Sequence, residues 1–238
     1  MINENTIIKL KKQYKKAEEY LNEYFNNKPQ MKDEFFENFH IRPTSSSHRI
    51  VCMNECFRVA MRTCEARNKA AFIDGIEKAF CLIKDLSAVQ SMPKQEVFDK
   101  YKFNVYECGK RNKQTEYVIQ AKFAKHIKSL GYSLLATEFN IKSGGRQRVD
   151  IVAYKNGELW LIEIKDGDIK TNATEQVNAY RELISQNKNI CWELLSCIDH
   201  SLPKNFTVKT AVVYTKGEKQ RVDIDKLWKY ENESFVEQ

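Results

Sequence analysis

Asp150, Glu163 and Lys165 are the residues whose types and spacing are best suited to chemistry in this chain. They lie in two apolar segments, Arg-Val-Asp-Ile-Val-Ala-Tyr from Arg148 and Leu-Trp-Leu-Ile-Glu-Ile-Lys ending at Lys165, on either side of Asn156-Gly157. An Asn-Gly pair between such segments is the strongest short-range signal for a two-residue hairpin loop. That loop sets the register, with Asp150 directly opposite Glu163 and Arg148 opposite Lys165. Both carboxylates and Lys165 then share one face, while Val149, Ile151, Ala153, Trp160, Ile162 and Ile164 form an apolar face that turns to a core. Like charges placed directly across a ladder repel, so something must offset them. Two readings are open. In one, Arg148 and Lys165 neutralise the carboxylates as a surface ion-pair network of little energetic worth. In the other, the carboxylates hold a divalent cation through oxygen ligands, and the lysine sits beside an attacking water or a phosphate.

The surrounding sequence must position that hairpin. Gln114 to Leu130 carries Ile119, Phe123, Ile127 and Leu130 at helical spacing and ends at Gly131, a C-cap signal. Tyr132 to Ile141 reads as a strand, and Gly144-Gly145 turns the chain into the strand from Arg148 to Tyr154. The hairpin partner is Leu159 to Lys165. Thr171 to Gln186 reads as a second helix and Thr207 to Thr215 as a later strand. The order is helix, three-stranded meander, helix, strand: an α/β fold with a mixed sheet flanked by helices.

Ahead of it the style differs, since seven of the eight glycines lie after residue 108. Residues 1 to about 87 read as helix, in runs such as Thr6 to Phe25 and Arg49 to Lys84, broken at Pro29, Pro43 and the Thr44 to Ser47 stretch that can cap the next helix. Residues 88 to 112 read as connection. The chain therefore divides into an all-helical N-terminal region with its connector, 1–112, and a domain carrying the hairpin, 113–238.

Composition bounds what this can be. Among 238 residues, 42% are hydrophobic and 30% charged, enough apolar material to bury a core and too much for a disordered chain. No apolar stretch approaches the roughly 20 residues of a membrane span, and Met1 to Tyr20 has no signal-peptide core, so a cytoplasmic location and no membrane partner are expected. The formal charge of +7 favours a polyanionic partner without requiring one. Seven cysteines at irregular spacing read as reduced core thiols. His40, His48, His126 and His200 are scattered and support no histidine-based metal site or triad. No phosphate-binding loop or dinucleotide fingerprint is present.

Residues 148–165 resemble the active-site hairpin of the PD-(D/E)XK nuclease superfamily. The lone aspartate inside an apolar strand, the Glu-x-Lys closing the next one, and the flanking helix and strand order carry the likeness over residues 114 to about 215. Val149 stands where the motif's proline would be. Gln176-Val-Asn-Ala-Tyr180 is similar to the Gln-x-x-x-Tyr motif of the RecB-like branch, and an i, i+4 pair shares a helix face. The resemblance implies a restriction-endonuclease-like core and a metal-dependent nuclease, most simply a DNA endonuclease of restriction, defence or DNA-processing type. Asp150 and Glu163 would bind Mg²⁺, for which Mn²⁺ substitutes, with the Ile164 carbonyl as a backbone ligand. Lys165 would orient water and stabilise charge on the phosphate. Gln176 and Tyr180 would steady the lysine, the water or the DNA backbone. Glu116, on the stripe of Ile119 and Phe123, would complete the site from the first helix, or it is a solvated first-turn glutamate that suits the helix dipole. The partner is nucleic acid, DNA ahead of RNA, with a homodimer through the N-terminal helices or the nuclease domain among the arrangements allowed. The alternatives are a catalytically weak nucleic-acid-binding or protein-interaction module on the same fold, and an RNA-cleaving toxin.

Overall fold

The computed structural model describes residues 4–44, 46–53, 62–89, 91–105, 113–139, 148–167, 171–197, 199–217 and 223–238. In chain order the elements are α1 (Glu4–Tyr24), α2 (Pro29–Asn38), β1 (Phe39–Pro43), β2 (His48–Cys52), β3 (Arg62–Ala66), α3 (Lys69–Lys84), α4 (Leu86–Val89), α5 (Lys94–Tyr101) and β4 (Asn104–Val105). There follow α6 (Lys113–Ser129), β5 (Ser133–Phe139), β6 (Val149–Lys155), β7 (Glu158–Lys165), α7 (Thr171–Gln186), α8 (Lys188–Leu195), β8 (Thr207–Tyr214), β9 (Lys226–Glu231) and β10 (Ser234–Glu237). The chain forms two compact units, Ile8–Lys122 and Phe123–Gln238, with Met1–Ile7 grouped with the second. That division falls inside α6, whereas the boundary expected from sequence falls before it.

The first unit corrects the expectation of an all-helical N-terminal region. It holds a four-stranded antiparallel sheet in the order β1-β2-β3-β4. Thr44 and Ser47 close the β1-β2 hairpin instead of capping a helix. The Thr44 N–H donates to the Ser47 carbonyl at 2.7 Å, and the Ser47 N–H donates to Thr44 Oγ1 at 3.0 Å. Short hydroxyl side chains offer the backbone this local alternative to a helix, and Ile41, Ile50 and Val51 favour the pleated strands on either side. Residues 88–112 are likewise more than connection, since α5 and β4 lie among them. α3 turns Phe72, Gly75, Ile76, Ala79 and Leu82 inward, into a core with Phe25, Phe35, Phe39 and Phe103. Gly75 lets this helix approach the sheet closely, because a Cβ there would stand 2.8 Å from Ile50 Cδ1 and 3.1 Å from Cys64 Sγ.

The second unit is a mixed α/β layer, as its sequence pattern predicts. Its six strands run in the order β10-β9-β8-β7-β6-β5. β5, β6 and β7 form the antiparallel meander, β8 and β9 add in parallel, and β10 returns antiparallel. The hairpin has the expected register, from Lys155↔Glu158 to Ile151↔Ile162. Asn156 and Gly157 both take positive φ, +50° and +85°, as a type I′ turn requires. α6 ends at Gly131, with φ +82°, where Tyr132 N–H bonds back to the Ile127 carbonyl at 3.0 Å and closes the helix. Phe123 and His126 of α6 pack edge-on or tilted against Trp228 and Phe235. Trp228 aligns with Val213, and Val213 with Ile164, so α6 covers the sheet face to which Ile164 points. α7 packs on β7 and β8, and its Tyr180 meets the charges of the other face. α8, β9 and β10 complete the unit and were not part of the sequence pattern. The turn at Gly144-Gly145 lies outside the described residues.

Candidate active site

The site is built at the open end of the β6-β7 hairpin. Regular pairing stops at Ile151↔Ile162, one step short of Asp150 and Glu163, because Asp150 replaces a backbone group there. The Ile164 N–H donates to Asp150 Oδ2 at 2.7 Å. In a strand the N–H and C=O of one residue point to the same side, so the Ile164 carbonyl also faces β6. Glu163 is buried, 2% exposed, and Lys165 Nζ donates to its Oε1 at 2.6 Å. Lys165 keeps 29% of its side chain open to solvent, so its ammonium reaches from the carboxylate to the surface.

The electrostatics follow from this crowding. Burial, and then the Glu163 carboxylate, push the Asp150 carboxyl well above its ordinary range, against the Ile164 N–H and Lys165, which favour the ionised form. Tyr180 comes into the same cluster from α7. Its side chain is 3% exposed, and its hydroxyl has no hydrogen-bond partner among the described residues. Burial first, and then Glu163, raise its pKa, with Arg148, Asp150 and Glu138 also acting on it. A buried hydroxyl without a partner costs about 1–3 kcal/mol, and this one stands beside a group of carboxylates.

The structure therefore brings Asp150, Glu163, Ile164, Lys165 and Tyr180 together. Gln176 lies one turn before Tyr180 on α7, half-buried at the edge of the stripe Ala173, Val177, Tyr180 and Ile184. Glu116 is half-buried in the first turn of α6 and falls within the first unit, so it is not among the residues that the six-stranded unit assembles by itself. Arg146 and Lys142, basic residues that precede the hairpin in sequence, lie outside the described residues.

One acidic residue escapes sequence reasoning. Thr137 pairs with Ile151 and Phe139 with Val149, which sets Glu138 level with Asp150. The Glu138 side chain is 10% exposed, and Arg148 Nη1 donates to its Oε2 at 3.4 Å. Its charge also raises the Asp150 pKa. Glu138 gets there through a bulge, since pairing shifts by one residue between Leu134 and Ala136. Uninterrupted pairing from Leu134↔Ala153 would set Thr137 there instead. The signal available in sequence is slight: an isolated acid in an apolar strand.

The donor set can be tested against the implied metal. Among the described residues no three His, Cys, Asp or Glu side chains come together as a metal cage. Two opposed carboxylates that raise each other's affinity for positive charge, with a carbonyl between them, fit the other mode: a hard cation such as Mg²⁺ held by one or two carboxylates, water and substrate phosphate. They do not fit zinc, for which four nitrogen or sulfur ligands are usual. Of the described cysteines, Cys52, Cys64 and Cys191 are buried, Cys197 is intermediate and Cys81 exposed. Burial pushes the Cys64 and Cys191 thiols up to about 11 and 12. No helix among the described residues is long and apolar enough to cross a membrane. No family model matches the chain, and no curated protein matches it as a relative.

Proposed function

We propose that the Phe123–Gln238 unit, with α6, is a restriction-endonuclease-like nuclease domain of PD-(D/E)XK type, and that the protein hydrolyses phosphodiester bonds in nucleic acid, DNA in the first place. One observation carries the reading: two mutually repelling carboxylates, one of them almost fully buried, are held on one face with a lysine 2.6 Å from Glu163 and beside a buried tyrosine hydroxyl that has no partner among the described residues. A structural ion-pair network gains nothing from burying such a set, because burial raises the cost of like charges.

Asp150, Glu163 and the Ile164 carbonyl would hold Mg²⁺, which supplies Lewis acidity at a phosphoryl oxygen and lowers the pKa of a bound water. The remaining work falls to the chain. The Ile164 N–H fixes one oxygen of Asp150. Lys165, held at Glu163 but open to solvent, puts an ammonium where charge would build on a phosphate oxygen. Tyr180 offers a hydroxyl that a water or phosphate oxygen could satisfy, and Gln176 lies one turn away as a second polar group. The +7 charge is compatible with a polyanionic substrate.

The test is to incubate the full-length chain with plasmid, linear duplex, single-stranded DNA and RNA in Mg²⁺, Mn²⁺ or EDTA. Cleavage that needs the metal and is lost in EDTA is expected. Binding without cleavage under every condition would favour the rival, a catalytically weak binding module, and cleavage of RNA alone would favour the toxin.

A further inference from the structure

We propose that Glu138 is a positioning residue of this site, which holds the Arg148 guanidinium at the edge of the carboxylate cluster as a contact for a backbone phosphate of the bound nucleic acid. The inference rests on the nuclease reading and adds a residue and a role to it.

Glu138 carries two costs at once. Its backbone is left-handed, φ +53°, a conformation that costs a non-glycine residue about 1 kcal/mol or more. Its carboxylate is nearly enclosed, 10% exposed, level with Asp150 on the strand beside it. An acid at that point makes an already repulsive cluster worse. Bulges re-aim side chains next to functional sites, and the shift at Leu135 replaces an uncharged Thr137 with Glu138 in that place. Residues that raise the energy of the fold twice over are best explained by what they hold.

What Glu138 holds is Arg148. Nη1 of this residue donates to Glu138 Oε2 at 3.4 Å, while 47% of the Arg148 side chain stays open to solvent. The guanidinium sits close enough to the cluster to act on the Tyr180 hydroxyl. With the guanidinium largely in solvent, the pair would contribute little to stability. With one N–H on Glu138 and nearly half of the side chain open to solvent, the fork is preorganised for phosphate, which arginine binds through paired N–H donors. Glu138 is not assigned as a metal ligand, because no three-acid cage forms among the described residues.

The test is a double-mutant cycle on the full-length chain with Glu138→Gln and Arg148→Ala. Binding of a labelled duplex oligonucleotide is read by anisotropy in EDTA, and kcat and KM are read in Mg²⁺. Arg148→Ala should weaken binding about tenfold, the worth of one charge-assisted contact. Glu138→Gln should weaken it about three- to fivefold although it removes a negative charge, and the double variant should bind no worse than Arg148→Ala. KM should rise with kcat within about twofold, since the contact is made before and during reaction. Arg148→Lys, which keeps the charge and loses the fork, should weaken binding while leaving Glu138 in place. Tighter or unchanged binding by Glu138→Gln, or losses that simply add, would overturn the proposal while leaving the nuclease reading intact. A wild-type chain that neither binds nor cuts any nucleic acid would overturn both.

Discussion

Lys165 separates chemistry from binding. Lys165→Ala removes an ammonium that lies beside Glu163 and leaves both carboxylates and the apolar strand in place. The cleavage rate should fall by on the order of 10²–10³, as when one transition-state donor is lost, with affinity measured in EDTA changing far less. Equal rates would show that the site lies elsewhere. Asp150 makes a prediction about pH. Its folded pKa is raised above 3.8, so above that value the folded state holds more protons than the unfolded one, and stability falls as pH rises through the window up to the raised pKa. Asp150→Asn should flatten that dependence in EDTA, stabilise the chain at neutral pH and abolish cleavage. A sharp drop in Tm for the variant would instead favour a purely structural ion-pair network. Asp150, Glu163 and Lys165 were legible because a two-residue loop fixes a ladder on both sides. Glu138 was not, since a one-residue bulge decides which side chain faces Asp150, and no local propensity marks Leu135 as the extra residue.

Elements show the same contrast. The hairpin β6-β7 follows from Asn156-Gly157, and its turn is testable by itself: Gly157→Ala places a Cβ at φ +85° and should cost about 1–2 kcal/mol, read as a lower urea midpoint. The N-terminal strands were hidden. β1, β2 and β3 are five residues each, too short for alternation to outweigh helix-forming neighbours, and Thr44 serves a turn where its type equally suits a cap. His48 of β2 gives this sheet its own signature. It is 2% exposed, its Nε2–H meets the Gln13 carbonyl at 2.8 Å, and Tyr20 and Phe72 stand edge-on to its ring. Burial lowers its pKa below 6.5, so the unfolded chain binds more protons in the window just below that value. Stability should therefore be lost as pH falls through about 6.5 toward the lowered pKa, and less so in His48→Gln, as followed by urea unfolding between pH 5 and 7.

Across the molecule, the +7 charge is spread over both parts of the chain. Affinity for a duplex should fall steeply with salt, log K dropping by about 0.9 for each phosphate neutralised per tenfold rise in salt. A salt-insensitive affinity would point to a protein partner. The change in glycine usage sets the expected boundary before α6, whereas the division into two units falls within that helix, which carries no break in sequence. The bulge at Leu135 also bears on the edge of the sheet. β5 is the last strand of its sheet, and an outermost strand offers a row of unpaired N–H and C=O groups on which another chain can polymerise. An extra residue followed by a left-handed Glu138 breaks the regular spacing of that row. The irregularity that aims an acid at the site thereby also makes this edge a poor seed for amyloid-like growth.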